Sequence, residues 1–411
     1  MSAENFRSLS RHPFMSHDVV VVGGGVAGTV LSRLLVREGI RVLVLERERS
    51  FRDRVRGEAL LPWGVNEARD LGIYDLLRGT CGVEVRYWTS HARKGSPRDL
   101  VATTPRGAPC FTFYHPDLQE VLLGAAEAAG AEVRRGVAVE RVESGPRPKV
   151  VFADGMKRDT VEAGLIVGAD GRGSRVRTWA GFPVIRDPER MMIAGTLLGD
   201  VALPEESVHV FRRSKDGLGA LLFPLGKGRV RTYFMYRNRG KRRGLSGSSR
   251  LPAFIDACRD VGVPGEWLDQ VSAAGPLAEF DAADSWVEHP YKDGVALIGD
   301  AASSNDPTWG NGVSLAFRDA RALAEALRRH GDWDRAGHAY AEAHGAYFGA
   351  VNRLTRWLTE LNYEVGPDAD ARRDRALPLF AQDPTRVPDY ISLGPDSPAS
   401  ESTRQRLFGE V

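Results

Sequence analysis

The stretch from Asp18 to Glu46 leaves this chain little choice of fold. Asp18-Val19-Val20-Val21-Val22 is a short β-branched run and reads as a buried strand. It breaks at Gly23-Gly24-Gly25-Val26-Ala27-Gly28, passes into a helix predicted over Thr29 to Glu38, and re-enters a strand at Arg41-Val42-Leu43-Val44-Leu45 that ends on Glu46. Gly23, Gly25 and Gly28 spell G-x-G-x-x-G. The first permits a tight turn, the second lets a pyrophosphate approach the backbone, and the third lets helix and strand pack closely. The helix N-terminus, with Val26 and Ala27 in the turn just before it as candidate cofactor contacts, turns free N–H groups and a partial positive charge toward phosphate. Glu46 follows Gly25 at about 20 residues, the spacing of a carboxylate that accepts from a ribose hydroxyl. Together these predict a dinucleotide site, and the terminal acid favours FAD or NAD over NADP.

Two further apolar strands end on acids. Gly164-Leu165-Ile166-Val167-Gly168-Ala169 leads to Asp170-Gly171-Arg172-Gly173-Ser174-Arg175-Val176-Arg177. Gly294-Val295-Ala296-Leu297-Ile298 leads to Gly299-Asp300-Ala301-Ala302, a loop carrying Pro307 and Trp309, and a long helix opened by Gly310-Asn311-Gly312 and running from Val313 to Arg329. The carboxyl ends of such strands are where α/β sheets place ligands. Between them, Ile193–Gly199, Val208–Arg213, Gly219–Pro224 and Arg229–Arg237 read as a meander of strands rather than βαβ units.

The expected fold is therefore α/β: a Rossmann-like domain that binds FAD or NAD, with an inserted mixed β-sheet substrate domain and C-terminal helices. Its expected parts are 1–82 (with 1–17 a flexible leader), 111–190 and 286–332 for cofactor binding, 83–110 and 191–285 for the substrate sheet, and 333–411 for helices and tail. Finer expectations are a helix from Gly64 to Leu77, a strand from Val83 to Ser90, a helix from Leu118 to Ala129, a mobile basic loop from Lys241 to Arg250, and a tail from Gly366 that wraps the surface.

Composition narrows the function. A chain of 411 residues, 42% hydrophobic and 27% charged, is ordinary for a soluble protein. A net charge of +2 gives no reason to expect nucleic acid or a polybasic membrane surface as partner. Cys81, Cys110 and Cys258 have no metal-ligand spacing and read as reduced thiols, so no metal is expected. No apolar run reaches the ~20 residues of a membrane span, and the start lacks a signal-peptide core, which makes the cytoplasm the expected location.

The three strand-end motifs, in this order, resemble the class A FAD-dependent monooxygenases of the para-hydroxybenzoate hydroxylase fold. The resemblance covers most of the chain and is weak between about 190 and 285. It implies FAD as cofactor, NAD(P)H as transient reductant and O2 as co-substrate, with a flavin C4a-hydroperoxide giving one oxygen atom to a small, aromatic or polycyclic, secondary-metabolite-like substrate. It also implies site residues: Asp300 on a ribityl hydroxyl, Pro307 beside the ring, Gly310, Asn311, Gly312 and Val313 at the flavin's pyrimidine edge, and the Val139 backbone beside the adenine. Asp170, Gly171 and Arg177 match the family's second fingerprint. Arg56, and with it Arg47, falls in an arginine-rich loop that would brace the cofactor or simply be solvated. His115 stands where relatives usually carry arginine, and Gln119 is the better candidate for that contact. Ser303 stands where relatives often carry histidine.

No catalytic triad is expected. Phe211, Leu222, Phe223, Tyr233 and Met235, with Trp309 on the flavin side, are candidates for the pocket wall, although alternation alone leaves open which of them face inward. Alternatives on the same fold are a two-component oxygenase, a saturating reductase of the geranylgeranyl type, a flavin-dependent halogenase and a non-enzymatic flavin binder. Gly57-Glu58-Ala59-x-x-Pro62 resembles a halogenase motif, but Trp63 to Leu77 contains no lysine and no Trp-x-Trp-x-Ile-Pro occurs.

Overall fold

Val19–Val22 is buried at 0 to 5% exposure, as a strand needs to be when helices cover both faces of its sheet. The computed structural model describes residues 16–91, 97–238, 240 and 243–411, so most of the expected leader and part of the Lys241–Arg250 loop lie outside the described residues. Val19–Val22 pairs in parallel with Val42–Glu46 on one side and Leu165–Gly168 on the other. The six-stranded sheet is completed by Glu132–Arg135 at one edge and by Val295–Leu297 with Tyr291–Lys292 at the other. All three strand ends read from the sequence thus meet at one edge of one sheet, although 18 and 298 are far apart in the chain.

Helices Val26–Arg37, His115–Ala129 and Gly312–Arg329 pack together over one face, around Val30, Leu31, Leu122, Phe317 and Leu323. The other face is covered by an antiparallel three-stranded sheet of Val137–Glu143, Lys149–Asp154 and Lys157–Glu162, with Phe152 and Val150 in its core.

The middle of the chain forms an eight-stranded sheet built on Met191–Gly199, Val230–Arg237, Leu218–Pro224 and Ser207–Arg213. Period-2 alternation divides its side chains between two cores. Ile193, Leu221, Phe223 and Met235 face the cofactor half; Met192, Leu222, Phe234 and Phe211 face helix Leu251–Asp260.

Three local expectations change. The predicted strand Val83–Ser90 is two strands in two sheets: Gly82–Val85 pairs with Cys110–Phe113, while Tyr87–Ser90 joins the eight-stranded sheet beside Ser207–Arg213. The helix expected from Gly64 to Leu77 is broken into Pro62–Asp70 and Tyr74–Thr80 by Leu71-Gly72-Ile73, with Gly72 at φ +63°. The tail is not an irregular wrap. After the 30-residue helix Trp333–Asn362 it forms helices Pro367–Gln382 and Glu401–Phe408. Phe380, Leu407 and Phe408 close a separate core on Leu354, Trp357 and Leu361. Apolar residues spaced along a largely charged tail suffice for this because the partner face already exists.

Candidate active site

A cavity lies between the strand ends of the six-stranded sheet and the inward face of the eight-stranded one. Its first wall is made of turns. Gly25, Val26 and Ala27 come from the glycine turn, Gly171 and Arg172 from the second motif, and Gly299, Asp300, Pro307, Thr308, Gly310, Gly312 and Val313 from the third. Its second wall is apolar and aromatic: Ile193, Leu221, Phe223, Tyr233, Met235 and Phe280. Arg56, Gly57, Glu58, Ala59 and His115 line it between the two.

Two helices open onto the cavity without a side-chain cap. Gly25 precedes helix Val26–Arg37 and Asn311 precedes helix Gly312–Arg329, and neither first turn receives a capping hydrogen bond from its N-cap side chain. The N–H groups there are left for a ligand. Asn311 is turned away: its Oδ1 accepts from Trp63 Nε1 at 3.2 Å. Backbone can be approached closely here, because a Cβ placed on Gly312 or Gly171 would meet nothing within 4 Å. Thr308 Oγ1 is buried with no partner among the described residues. The Asp300 carboxyl makes no hydrogen bond within the described protein; burial raises its pKa, while Arg56, Arg172 and Arg177 oppose that shift. Uncapped amides, an orphaned hydroxyl, a free carboxyl and nearby guanidiniums form a donor and acceptor set that fits a long, anionic, hydroxylated cofactor such as FAD.

Other expected residues serve the scaffold. Gly23 and Gly28 are packed shut: a Cβ on Gly28 would lie 2.2 Å from Gly23 O, and one on Gly23 2.4 Å from Ala169 O. Glu46 lies behind the turn, its Oε2 accepting from Gly24 N and its Oε1 from Glu48 N, both at 2.7 Å. Gln119 faces the turn, with Nε2 3.8 Å from where a Gly25 Cβ would stand. Asp170 caps helix Arg175–Trp179 by accepting from Arg175 N at 2.7 Å, and Arg177 donates to Ala301 O and Arg172 O, so both brace the motif from behind. His115 Nδ1 donates to Gly57 O at 2.8 Å, and burial lowers the ring's pKa. Arg47 is on the surface beside Glu48, and Val139 packs half-buried under the sheet rather than on the cavity.

Three pocket candidates face elsewhere. Phe211 is on the far side of the sheet, stacked on His91 with ring centroids 4.0 Å apart, because odd positions of its strand point away from the cavity. Leu222 is on that side too, because in its own strand, Leu218–Pro224, it is the odd positions Leu221 and Phe223 that face the cavity. Trp309 is 2% exposed and donates from Nε1 to Thr359 Oγ1 at 2.9 Å, among Tyr363 and Tyr390. Successive side chains of the tight turn Pro307–Trp309 diverge, so Pro307 and Thr308 face the cavity and Trp309 faces the C-terminal helices.

Arg172, Leu221, Phe280, Thr308 and above all Glu58 are wall residues beyond those that the sequence singles out. Leu221 and Phe223 share a face two residues apart, a signal present in the sequence but unanchored without the register. Glu58 was visible only inside the Gly57-Glu58-Ala59 motif.

A βαβ glycine turn, two further strand-end turns and an opposed apolar sheet are the fold and cofactor cleft of the class A flavoproteins. The chain matches the FAD binding domain family over residues 16–346 and belongs to it, as an FAD-dependent monooxygenase with NAD(P)H as reductant. It is 30% identical over 391 residues to 3-amino-4-hydroxybenzoate 2-monooxygenase of Streptomyces cremeus, covering 90% of this chain and 93% of the relative. It is 28% identical over 402 residues to 6-methylpretetramide 4-monooxygenase of Streptomyces rimosus, covering 92% of this chain and 90% of the relative. Among solved structures it shares the fold of the anhydrotetracycline hydroxylase of Streptomyces rimosus, with a TM-score of 0.71 and 23% identity over 96% of this chain and 75% of that one.

Proposed function

We propose that this monooxygenase inserts one oxygen atom into an aromatic or polycyclic aromatic substrate held against the inward face of the eight-stranded sheet. The observation that carries this is the cavity's asymmetry: one wall of uncapped helix ends and glycines, the other of Ile193, Leu221, Phe223, Tyr233, Met235 and Phe280. Flat apolar walls recognise ring systems by burial and edge contacts. Two of the relatives named above act on aminohydroxybenzoate and on 6-methylpretetramide, which supports a ring substrate.

FAD, when bound, supplies hydride acceptance and oxygen activation. Gly25, with the Val26 and Ala27 amides and Gln119, holds its diphosphate; Glu46 sets the turn that receives the ribose. Asp300 accepts from the ribityl chain. Thr308, Gly310, Gly312 and Val313 hold the ring end, where uncapped amides favour negative charge on the reduced cofactor. Arg56, whose guanidinium lies over the Phe280 ring at 5.5 Å, balances anionic charge between the two walls. Pro307 and the apolar sheet keep water from the reacting carbon. The three free cysteines suit a reducing cytoplasm.

The test is NAD(P)H consumption by the FAD-loaded enzyme with a panel of mono- and polycyclic phenols under 18O2. Substrate-stimulated consumption with one 18O atom in the product is the expected result. A product that needs halide, or turnover without O2, would defeat the proposal.

A further inference from the structure

The third strand-end motif has a back as well as a front. Its front, Gly299 and Asp300, faces the cavity. Its back is fastened by one stripe of the helix Trp333–Asn362, where Tyr340, His344 and Tyr347 stand at i, i+4 and i+7 and share a face. Tyr340 donates to Leu297 O at 2.7 Å, at the end of the strand. His344 Nε2 meets Ser303 Oγ. Tyr347 donates to Asp319 Oδ1, and Asp319 Oδ2 accepts from Gly299 N at 2.7 Å, where the turn has φ +59°.

Asp319 is 1% exposed and reaches from behind the turn that carries Asp300 in front. The titratable and charged groups that face it, among the described residues, are Asp300 on the third motif, Arg318 on its own helix, and Tyr340, His344 and Tyr347 on the C-terminal helix. Arg318 is already matched by Glu67, with Nε 2.6 Å from Oε1, and burial keeps His344 neutral. Burial disfavours the Asp319 charge and Asp300 adds to the effect, while Tyr347, Gly299 N and Arg318 oppose it, so its pKa rises to about 7. Both of its charge states can be hydrogen-bonded. As a carboxylate it accepts from Tyr347 and Gly299. As an acid its Oδ1–H turns to the Tyr347 oxygen. Tyr347 then turns its hydroxyl to Tyr340, which is within hydrogen-bonding reach, and Tyr340 already donates to Leu297 O. Gly299 N keeps Oδ2 in both states, so a proton enters or leaves without opening the turn.

We propose that Asp319 is a proton store behind the cofactor turn, which takes up one proton from solvent as FAD binds in front. The cause is electrostatic. With FAD in place a diphosphate stands in the cavity and water is gone from Asp300, so both negative charges act on Asp319 through a drier medium. The incoming proton forms the Oδ1–H bond; the buffer loses it, and the other changes are reorientations of hydroxyls. Asp300 stays ionised and free to accept from the ribityl chain. Asp319 is thus a positioning residue, acting through Gly299 and Asp300. This rests on the assignment of Asp300 to the cofactor. The other carboxyl on the cavity, Glu58, belongs to the sheet wall. Arg231 is shared there between Glu58, with Nε 3.1 Å from Oε1, and Asp53, whose Oδ2 accepts from Nη2 at 2.8 Å, and the Tyr233 hydroxyl donates to Glu58. Glu58 provides the control.

The experiment titrates FAD-free protein with FAD. Calorimetry in phosphate and in Tris, whose heats of ionisation differ, counts protons, and flavin fluorescence gives Kd from pH 6 to 9. The expected result is net proton uptake just above neutral pH and a Kd that rises about tenfold from pH 6 to 9, as one pKa unit of linkage gives. Asp319→Asn keeps an acceptor for Gly299 N and carries no charge. It should abolish the uptake and bind FAD at pH 9 as tightly as wild type does at pH 6. Tyr347→Phe removes a donor to the charged form and should move the midpoint of the profile upward, whereas a merely structural tyrosine would weaken binding equally at every pH. Circular dichroism reports folding; if Asp319→Asn does not fold, the Tyr347→Phe midpoint decides. A wild-type Kd that ignores pH, an Asp319→Asn variant that keeps the slope, or a Glu58→Gln variant that loses it each overturns the inference. Asp300→Ala tests the underlying assignment separately. Unchanged FAD affinity in that variant removes the assignment; lost affinity there, with no proton uptake in wild type, removes only the store.

Discussion

Glycines around the cavity do two different things, and the space at each separates them. Gly28 lets a helix lie against a strand, since any Cβ would collide with Gly23 O at 2.2 Å and Val21 Cγ1 at 3.0 Å. Gly312 has open space, and what it leaves room for is the ligand. Gly28→Ala is expected to cost about 1–3 kcal/mol of stability through overpacking, read as a lower denaturation midpoint of the FAD-free protein. Gly312→Ala is expected to leave the FAD-free protein within about 0.5 kcal/mol of wild type yet weaken FAD binding about tenfold, ~1.4 kcal/mol, read by flavin fluorescence titration. Equal effects of the two on both readouts would contradict this division. Residue identity also explains Ser303. Its hydroxyl meets an imidazole: His344, on helix Trp333–Asn362, reaches Ser303 Oγ with Nε2 at 3.1 Å, and burial keeps it neutral with a pKa of about 3.

At the scale of elements, the loop from Ser303 to Asn311 depends on a carboxyl outside it. Asp284 accepts from Asp306 N and Asn305 Nδ2, and from Asn352 Nδ2 at 2.6 Å on the long C-terminal helix. Asp306 in turn caps its own turn by accepting from Thr308 N at 2.9 Å, which sets Pro307 and Thr308 toward the cavity. Burial raises Asp284 to a pKa of about 7, and the Asn352 amide opposes that shift. A carboxyl raised in the fold stabilises fully below the unfolded carboxylate range, and that contribution fades as pH rises through about 7. Asn352→Ala removes a donor to the charged form. It is expected to cost about 1.5–3 kcal/mol at pH 8 and less at pH 5, with both values taken from denaturant unfolding. A loss that is larger at pH 5 would show that Asp284 is not the group responsible.

At the scale of the whole molecule, the site exists only because two separate sheets are brought face to face. A cofactor bound there links them, so occupancy appears as stability. FAD at a hundredfold excess over its Kd adds about 2.7 kcal/mol, which for a chain of this length raises Tm by about 3 °C. Differential scanning calorimetry with and without FAD checks it; an unchanged Tm at that excess would show that FAD does not prefer the folded chain to the unfolded one.

The sequence by itself determined the cofactor half. Val19–Val22, the glycine turn and the two later strand-end motifs are local patterns, and the physics they encode, burial of β-branched strands and open helix N-termini, acts over a few residues. Class and cofactor followed from them. Only the tertiary structure decided which side chains meet. Phe211 and Phe223 read alike in sequence, and sheet register sends one to each core. Trp309 looked like a cofactor neighbour until a tight turn aimed it at Tyr363 and Tyr390. Glu58, Asp53, Arg231 and Tyr233 belong to segments more than 170 positions apart, and no local pattern records that one buried arginine is shared by two acids. That arrangement is long-range electrostatics, and it arises only once the sheets have packed.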